Sequence, residues 1–185
     1  PYTFDQGLPI VEAQVGDAAV QLIADTGSGV TILTESQVDP AVLASGITGY
    51  VWYTSYGSDP GTVVRLPSFE IAGVQVQDSW AVVVPDDFHL AELFGLMGLD
   101  VQGFVGIPVY RRFFISVIGE ESRYELFPYD DLSHVPTDEW DRVGLEIMRE
   151  AGAVEVTMVF EPSDAADQGI VPGDEITAVD GADVS

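Results

Sequence analysis

The first third of the chain alternates apolar and polar positions with the two-residue period of short β-strands. The segment LPIVEAQV runs into a Gly16-Asp17 turn and then into AAVQLIAD, which predicts a hairpin whose second strand ends at Asp25. The following ESQVDPAVLASG predicts a short helix or a loop that ends at Gly46. The chain therefore begins as a β structure with little helix.

Turn-bounded strand patterns continue along the chain. Two strand-like arms flank residues 56–61, so we expect a hairpin with a glycine-bearing tip there. The stretch GVQVQDSWAVVVP predicts another turn-flanked strand pair, and DFHLAELFGLMG has the spacing of a short helix. The stretch GFVGIPVYRRFFISVIGEESRYELFPY predicts a strand, a helical turn and a hairpin around residues 119–122. Short strands at such intervals predict a mainly β domain that closes into a sandwich or barrel.

A polar, turn-rich stretch, DDLSHVPTDEW, separates this β region from the rest of the chain. We therefore expect a first domain over residues 1–130, a linker over 131–141 and a second domain over 142–185. In the second domain the pattern predicts two strands, a short helix, a Pro-Gly-Asp turn and a further strand, which is an α+β arrangement.

Composition excludes several classes of function. The chain carries 31 Asp and Glu against six Arg and no Lys, which gives a formal net charge of −25. Such a surface repels phosphate backbones and anionic lipids, so we expect no nucleic-acid partner. Dense acidity serves either solubility or adaptation to high salt, and both interpretations stay open. The sequence has no Cys and no run of 18 apolar residues, so neither thiolate chemistry nor a membrane-spanning segment is expected.

The segment LIADTGSGVTIL places one ionisable side chain, Asp25, between two apolar runs. An unpaired buried carboxylate is costly, so such an acid is usually paired, hydrogen-bonded or protonated. Thr26 offers a hydroxyl group, and Gly27 allows a sharp turn whose backbone N–H groups can bond the carboxylate. The pattern fits both an ordinary turn and an acid presented for catalysis at the end of a strand.

Asp25-Thr26-Gly27, flanked by LIA and SGVTIL, resembles the active-site loop of aspartic peptidases, and the short chain is most similar to their retropepsin-like members. The resemblance implies a closed β-barrel of the acid protease fold. It also implies two facing aspartates that share one proton and activate a water, because carboxyls roughly 3 Å apart cannot both ionise. The sequence has no second Asp-Thr-Gly or Asp-Ser-Gly, so we expect a homodimer in which each subunit supplies one Asp25 and Thr26 contacts the partner loop. No metal or other cofactor is implied.

Two further segments resemble parts of the same family. Phe104-Val105-Gly106 resembles its second signature, which implies that these residues support the acid loop, and the helical turn and hairpin after them fit that position. Leu96-Met97-Gly98 is an alternative for this role, and an ordinary buried strand is another interpretation. The hairpin between the two signatures takes the place of the family's flap, which implies that Tyr56 and Gly57 cover the substrate. A plain surface hairpin fits the pattern as well.

The segment SDAADQGIVPGDEITAVDG resembles the central part of a bacterial PDZ domain. The resemblance places Val143, Gly144 and Leu145 in the loop that takes the C-terminal carboxylate of a peptide. It covers about half of a PDZ domain, so peptide binding and a purely structural role both stay open.

These patterns predict an aspartic endopeptidase that hydrolyses peptide bonds and carries a partial PDZ-like domain. Two alternatives remain open: a non-catalytic peptide-binding or scaffolding protein with a protease-like barrel, and a PDZ-centred peptide receptor. Family members with PDZ segments are often exported from bacteria, which implies a periplasmic or extracellular location, and the opening at Pro1 fits a processed chain. His89 and His134 are interpreted as surface histidines because no metal-ligand spacing surrounds them.

Overall fold

The computed structural model describes residues 2–5, 8–54, 56–76, 79–121, 123–130, 143–150, 152–159 and 163–184. The chain divides into two compact units, Pro1–Val135 and Pro136–Ser185, and each buries apolar side chains of its own. The predicted linker, residues 131–141, lies outside the described residues. The predicted domain bounds therefore stay a prediction.

The described part of the first unit is a β structure, as the alternating pattern predicts. Its strands are β1 (Tyr2–Asp5), β2 (Leu8–Val15), β3 (Ala18–Ala24), β4 (Ile32–Thr34), β5 (Ile47–Thr54), β6 (Gly57–Leu66), β7 (Phe69–Ile71), β8 (Val74–Gln75), β9 (Ser79–Val84), β10 (Gly103–Val105), β11 (Phe113–Ile118) and β12 (Arg123–Pro128).

The helices of the first unit are short. They are α1 (Pro40–Ala44), α2 (Ala91–Leu96) and α3 (Ile107–Tyr110), with 3-10 turns at Glu35–Gln37 and Gly119–Glu121. Asp39 caps α1, because its side chain accepts the N–H of Ala41 at 2.7 Å, and Pro40 fits the first helical position. Within the part of the chain that the structure describes, no helix is long and apolar enough to cross a membrane.

The strand order is β11-β12-β1-β2-β3-β10-β4-β9-β6-β5, with β7 beside β2 and β8 beside β7. No pairing between described strands joins β5 to β11, the two ends of this order, so the prediction of a closed barrel is wrong. The reason lies in β2, whose first half pairs with β1 and whose second half pairs with β7. The sheet therefore branches at β2, and the described strands β5 and β11 do not pair with one another.

Inward-facing side chains of these strands form the core of the first unit. In β2 the side chains of Val11, Ala13 and Val15 are buried while Glu12 is exposed, which is the alternation of a half-buried strand. The interior strand β9 is buried at almost every position because β4 and β6 flank it. The largest fully buried side chains are those of Tyr110, Phe69, Leu22, Ile32, Leu33 and Ile71.

Most predicted elements are confirmed, and two details are corrected. The hairpin of β2 and β3 turns at Gly16-Asp17 as predicted, and β10, α3, β11 and β12 follow in the predicted order. Strand β1 is an addition that the pattern did not indicate. Strands β8 and β9 do not pair with one another, because β8 pairs with β7 while β9 lies between β4 and β6.

The hairpin of β5 and β6 exists, but its turn is shorter than predicted. Thr54 pairs with Gly57, so the two strands of the hairpin are separated by only two residues of the chain. Asp59 and Gly61 lie inside β6 rather than in the tip, and both are buried. Burial of alternate residues holds this segment as a strand despite its turn-like composition.

The second unit is a small α+β structure in its described part. The predicted strand, strand, helix and strand are confirmed. They are β13 (Leu145–Glu150), β14 (Ala153–Val159), α4 (Asp164–Asp167) and β15 (Ala178–Val179), followed by β16 (Ala182–Asp183). Its small core consists of Val154, Val156, Met158 and Ala165. The PDZ-like assignment stays a prediction.

Truncation of a core leucine tests this description of the first unit. Leu22 is fully buried, so Leu22→Ala should lower the free energy of unfolding by about 2–5 kcal/mol through lost burial and an unfilled cavity. Urea denaturation followed by NMR of first-unit amides measures this. The matched control is Leu96→Ala, because Leu96 is 81% exposed and its truncation should change stability by less than about 0.5 kcal/mol. Equal losses in both variants would contradict the assigned core.

Candidate active site

The parallel pairing of β3 with β10 fixes the position of Asp25. Ile23 lies opposite Phe104 and Ala24 lies opposite Val105. One residue further along, the backbone N–H of Asp25 donates to the carbonyl of Val105 at 3.0 Å. The acid therefore leaves the end of a buried strand with its backbone still held by the neighbouring strand, which limits how far its side chain can move.

The residues after Asp25 form a turn around its carboxyl group. The N–H of Gly27 donates to Asp25 Oδ1 at 2.8 Å, and the N–H of Ser28 donates to the Asp25 carbonyl at 3.2 Å. A Cβ atom at position 27 would lie 3.1 Å from Asp25 Oδ1, so glycine allows this close approach. The Asp25 side chain is half-buried, and Thr26 and Gly27 are exposed.

The far side of this turn is bonded to the segment after β10. The N–H of Ile107 donates to the Ser28 carbonyl at 2.9 Å, and the N–H of Gly106 donates to the buried Thr31 Oγ1 at 3.4 Å. The Ser28 hydroxyl donates to the Val30 carbonyl at 2.7 Å, which closes the turn upon itself. Both ends of the acid loop are therefore hydrogen-bonded to residues 105–107.

Gly106 allows the two segments to lie this close. A Cβ atom there would lie 2.8 Å from the Ser28 carbonyl oxygen and 2.7 Å from the Val30 carbonyl carbon, which are both backbone atoms. The competing segment, Leu96-Met97-Gly98, lies at the C-terminal end of α2, where Leu96 is largely exposed. Residues 104–106, and not residues 96–98, are therefore the segment for which hydrogen bonds to the acid loop are described.

The predicted flap residues lie at the turn of the β5–β6 hairpin. Tyr56 is 76% exposed, and its N–H donates to Thr54 Oγ1 at 3.1 Å. Gly57 opens β6 and lies against the ring of His89, since a Cβ atom at position 57 would lie 3.3 Å from its Cδ2 and Cγ atoms.

The interpretation of His89 as a surface histidine is wrong. Its Nε2 atom lies 2.6 Å from Thr54 Oγ1, its Nδ1 atom contacts Asp59 Oδ2, and its backbone N–H donates to Asp59 Oδ1 at 3.0 Å. The sequence carried one overlooked signal, because Asp59, Gly61 and Val63 are alternate residues of one strand and all face inward. The segment Asp59-Pro60-Gly61 has a composition typical of a turn, so the strand periodicity was not recognised. His134 lies outside the described residues.

Aromatic side chains join the hairpin to the acid loop. The ring of Trp52, on β5, lies 5.3 Å from the His89 ring and 5.6 Å from the Phe104 ring, measured between centroids. Phe88 and Phe94 complete the cluster, with the Phe94 and Phe104 ring centroids 5.6 Å apart. Phe104 directly precedes Val105, whose carbonyl accepts the Asp25 N–H. Trp52 of the hairpin therefore contacts the residue next to the one that bonds Asp25.

A comparison with known families identifies this arrangement. The family model described as aspartyl protease matches residues 11–109, which is more than half of the chain. The chain belongs to the aspartyl protease family. A similar solved structure is that of a retropepsin-like aspartic protease from Rickettsia conorii, with 18% sequence identity, a TM-score of 0.46, and coverage of 63% of this chain and 81% of that chain. No curated protein sequence matches the chain.

The span matched to the aspartyl protease family contains the acid loop, the hairpin and the segment 104–106, and it ends before the second unit. Among the described residues, no group of three or more His, Cys, Asp or Glu side chains could hold a metal ion. The Asp25 carboxyl is half-buried, and a carboxyl in such a position can exchange a proton with a water molecule.

In the second unit, the three residues predicted to bind a peptide carboxylate differ in exposure. Val143 is 59% exposed, Gly144 is buried, and Leu145 opens β13. Gly144 adopts a φ of +70° and lies directly against Ser163, which leaves no room for a side chain. Ser163 also caps α4, because its Oγ atom accepts the N–H of Ala166 at 3.1 Å. Gly144 therefore packs the start of β13 against the start of α4.

Substitution of Gly106 tests the close approach behind Asp25. Gly106→Ala places a methyl group against the backbone of the acid loop, so we expect a loss of about 1–3 kcal/mol in stability and a displaced loop. Urea denaturation measures the first effect, and the NMR shift of the Asp25 amide measures the second. The control is Gly119→Ala, whose added Cβ meets nothing within 4 Å. An unshifted Asp25 amide in Gly106→Ala would contradict the assigned support.

The pH dependence of the second unit tests the burial of Glu146. Desolvation by burial raises the pKa of this carboxyl above its ordinary value, so the folded unit holds the proton more tightly than the unfolded chain does. Stability should therefore fall as the pH rises from the ordinary glutamate pKa through the raised one, and Glu146→Gln should remove this part of the fall. Urea denaturation followed by NMR of β14 amides between pH 4 and 7 measures it. Parallel curves for the two proteins would contradict the assignment.

Proposed function

We propose that this chain is a retropepsin-like aspartic endopeptidase that hydrolyses peptide bonds as a homodimer. The observation that carries the proposal is the way Asp25 is held. Its backbone is bonded to Val105, its carboxyl accepts the Gly27 N–H, and both ends of its loop are bonded to residues 105–107. Such a support fixes one acid in place while leaving its carboxyl half-exposed to water and substrate.

The proposed mechanism needs two carboxyls, and the sequence supplies one Asp-Thr-Gly per chain. In the homodimer, Asp25 faces Asp25 of the partner subunit across the two-fold axis, and the pair shares one proton. The ionised carboxylate takes a proton from a water molecule as the water oxygen attacks the peptide carbonyl carbon. The protonated partner donates its proton to the carbonyl oxygen.

The tetrahedral diol that forms then collapses. One of its hydroxyl groups returns a proton to a carboxylate while the other carboxyl protonates the leaving nitrogen, so the C–N bond breaks into an acid and an amine. Thr26 is exposed beside Asp25 and is proposed to contact the partner loop. Tyr56 and Gly57 are proposed to cover an extended peptide and to exclude water during the reaction.

Two further assignments belong to this proposal. Val143, Gly144 and Leu145 form a PDZ-like loop that either binds a peptide carboxylate or packs the second unit. The enzyme acts in the periplasm or outside the cell, where a net charge of −25 keeps it soluble. The alternative is a non-catalytic peptide-binding or scaffolding protein that keeps the protease fold.

Replacement of the acid tests the proposal. Asp25→Asn should reduce peptide hydrolysis by at least about a thousandfold while leaving the fold intact, because an amide cannot act as the base. Cleavage of a mixed peptide library and a far-UV spectrum measure the two effects. The matched control is Asp17→Asn, the same change at an exposed turn, which should keep full activity.

The pH profile provides a second measurement of the same site. Hydrolysis should be fastest on the acidic side of neutrality, because the pair must retain its shared proton. Full activity in Asp25→Asn, or a rate that keeps rising through about pH 9, would contradict the proposal. A wild-type chain that stays monomeric and cleaves no peptide would favour the binding-protein alternative.

A further inference from the structure

Three polar side chains from separate segments meet beside the turn of the β5–β6 hairpin. Thr54 ends β5, Asp59 lies inside β6, and His89 belongs to the loop before α2. We call these three residues the hairpin clamp. They form one continuous chain of hydrogen bonds. Asp59 Oδ2 contacts His89 Nδ1, and Thr54 Oγ1 lies 2.6 Å from His89 Nε2.

We propose that His89 is a positioning residue that fixes the hairpin over the substrate. Asp59 orients the His89 ring, and the ring in turn holds the hairpin turn through its contact with Thr54. The inference rests on the proposed peptidase function and extends it to the residues that set how the hairpin meets a peptide.

The burial of Asp59 is the first argument. The residue is 8% exposed, and a carboxylate in such a position destabilises the fold unless it is paired. His89 supplies both partners, because its backbone N–H and its ring Nδ1 meet the two carboxylate oxygens. Asp59 therefore fixes the backbone and the ring of His89 at once, and the ring cannot turn away from the hairpin without losing its contact with a buried carboxylate.

The position of Thr54 is the second argument. Its Oγ1 atom contacts His89 Nε2 and also accepts the N–H of Tyr56, so one oxygen joins the ring to the exposed turn. A hydroxyl, a histidine and an aspartate in this order could also form a nucleophile. We assign a holding role because the Tyr56 N–H ties the Thr54 oxygen into the turn itself.

The aromatic contacts are the third argument. The Trp52 ring packs against both the His89 ring and the Phe104 ring. Phe104 is followed by Val105, which accepts the N–H of Asp25. The clamp therefore sets the position of the hairpin against the same strand that supports the acid, and its loss should loosen the hairpin without disturbing the acid.

Hydrogen exchange tests the clamp without any need for activity. Thr54→Val removes the hydroxyl and keeps the shape, and His89→Ala removes the ring. Thr54→Val should speed the exchange of hairpin amides between residues 54 and 59 by about 2- to 12-fold, the effect of one lost hydrogen bond on a local opening. His89→Ala should speed it further, because it removes the ring contacts to both Thr54 and Asp59. Thr54→Ser should exchange as the wild type does. Thr48→Val is the matched control, because it makes the same change at an exposed position of β5.

Two amide variants separate the two halves of the clamp. In His89→Asn the amide can replace Nδ1 and keep Asp59, while in His89→Gln it can replace Nε2 and keep Thr54. We expect both to exchange hairpin amides faster than the wild type and more slowly than His89→Ala. Unchanged exchange in Thr54→Val and His89→Ala, or equally faster exchange in Thr48→Val, would overturn the proposal.

Kinetics then test the positioning role. Thr54→Val should raise KM several-fold and leave kcat within about twofold, because a loosened hairpin weakens peptide binding while Asp25 is undisturbed. A fall in kcat at unchanged KM would mean that the network serves only to maintain active protein, and it would overturn the positioning role. If the wild type cleaves no peptide, the proposed function fails, and the exchange measurement still decides whether the clamp exists.

Discussion

The position of the candidate active site depends on one backbone contact, the bond from the Asp25 N–H to the Val105 carbonyl at the end of the parallel β3–β10 pair. A parallel register carries two chain segments to the same edge of a sheet, and here it brings the acid turn beside residues 105–107. Gly106 must then be small, because its neighbours across the gap are backbone atoms that cannot move aside. The acid is thus held by a pairing that forms between segments about eighty residues apart.

Two aspartates of this unit illustrate how partners decide the role of a carboxyl. Asp25 is half-buried, and its described side-chain bond is to a single backbone N–H, which leaves capacity for water and substrate. Asp59 is buried, and both its oxygens are engaged by His89, so its charge serves structure. In a chain with 31 acidic residues, composition cannot distinguish these roles, whereas burial and hydrogen bonding do.

Local patterns predicted most elements, because alternation over β2 and β3 and the Gly16-Asp17 turn act within a few residues. The acid turn could be found in the same way, since its motif is contiguous. Features that depend on distant segments were mispredicted or missed: the branching at β2, the separate partners of β8 and β9, and the burial of Asp59 beside His89. An Asp-Pro-Gly segment favours a turn locally, and only the strands and the aromatic cluster around it decide that it stays extended.

The proposed reaction requires that two chains, each with one Asp25, form one active site. The most direct test is to co-refold wild-type protein with Asp25→Asn protein at fixed total concentration and to measure peptide hydrolysis against the wild-type fraction. If both aspartates are needed, activity follows the square of that fraction, so an equal mixture keeps about one quarter of the wild-type rate. A linear dependence, with about one half of the rate remaining, would mean that each chain acts alone and would contradict the account.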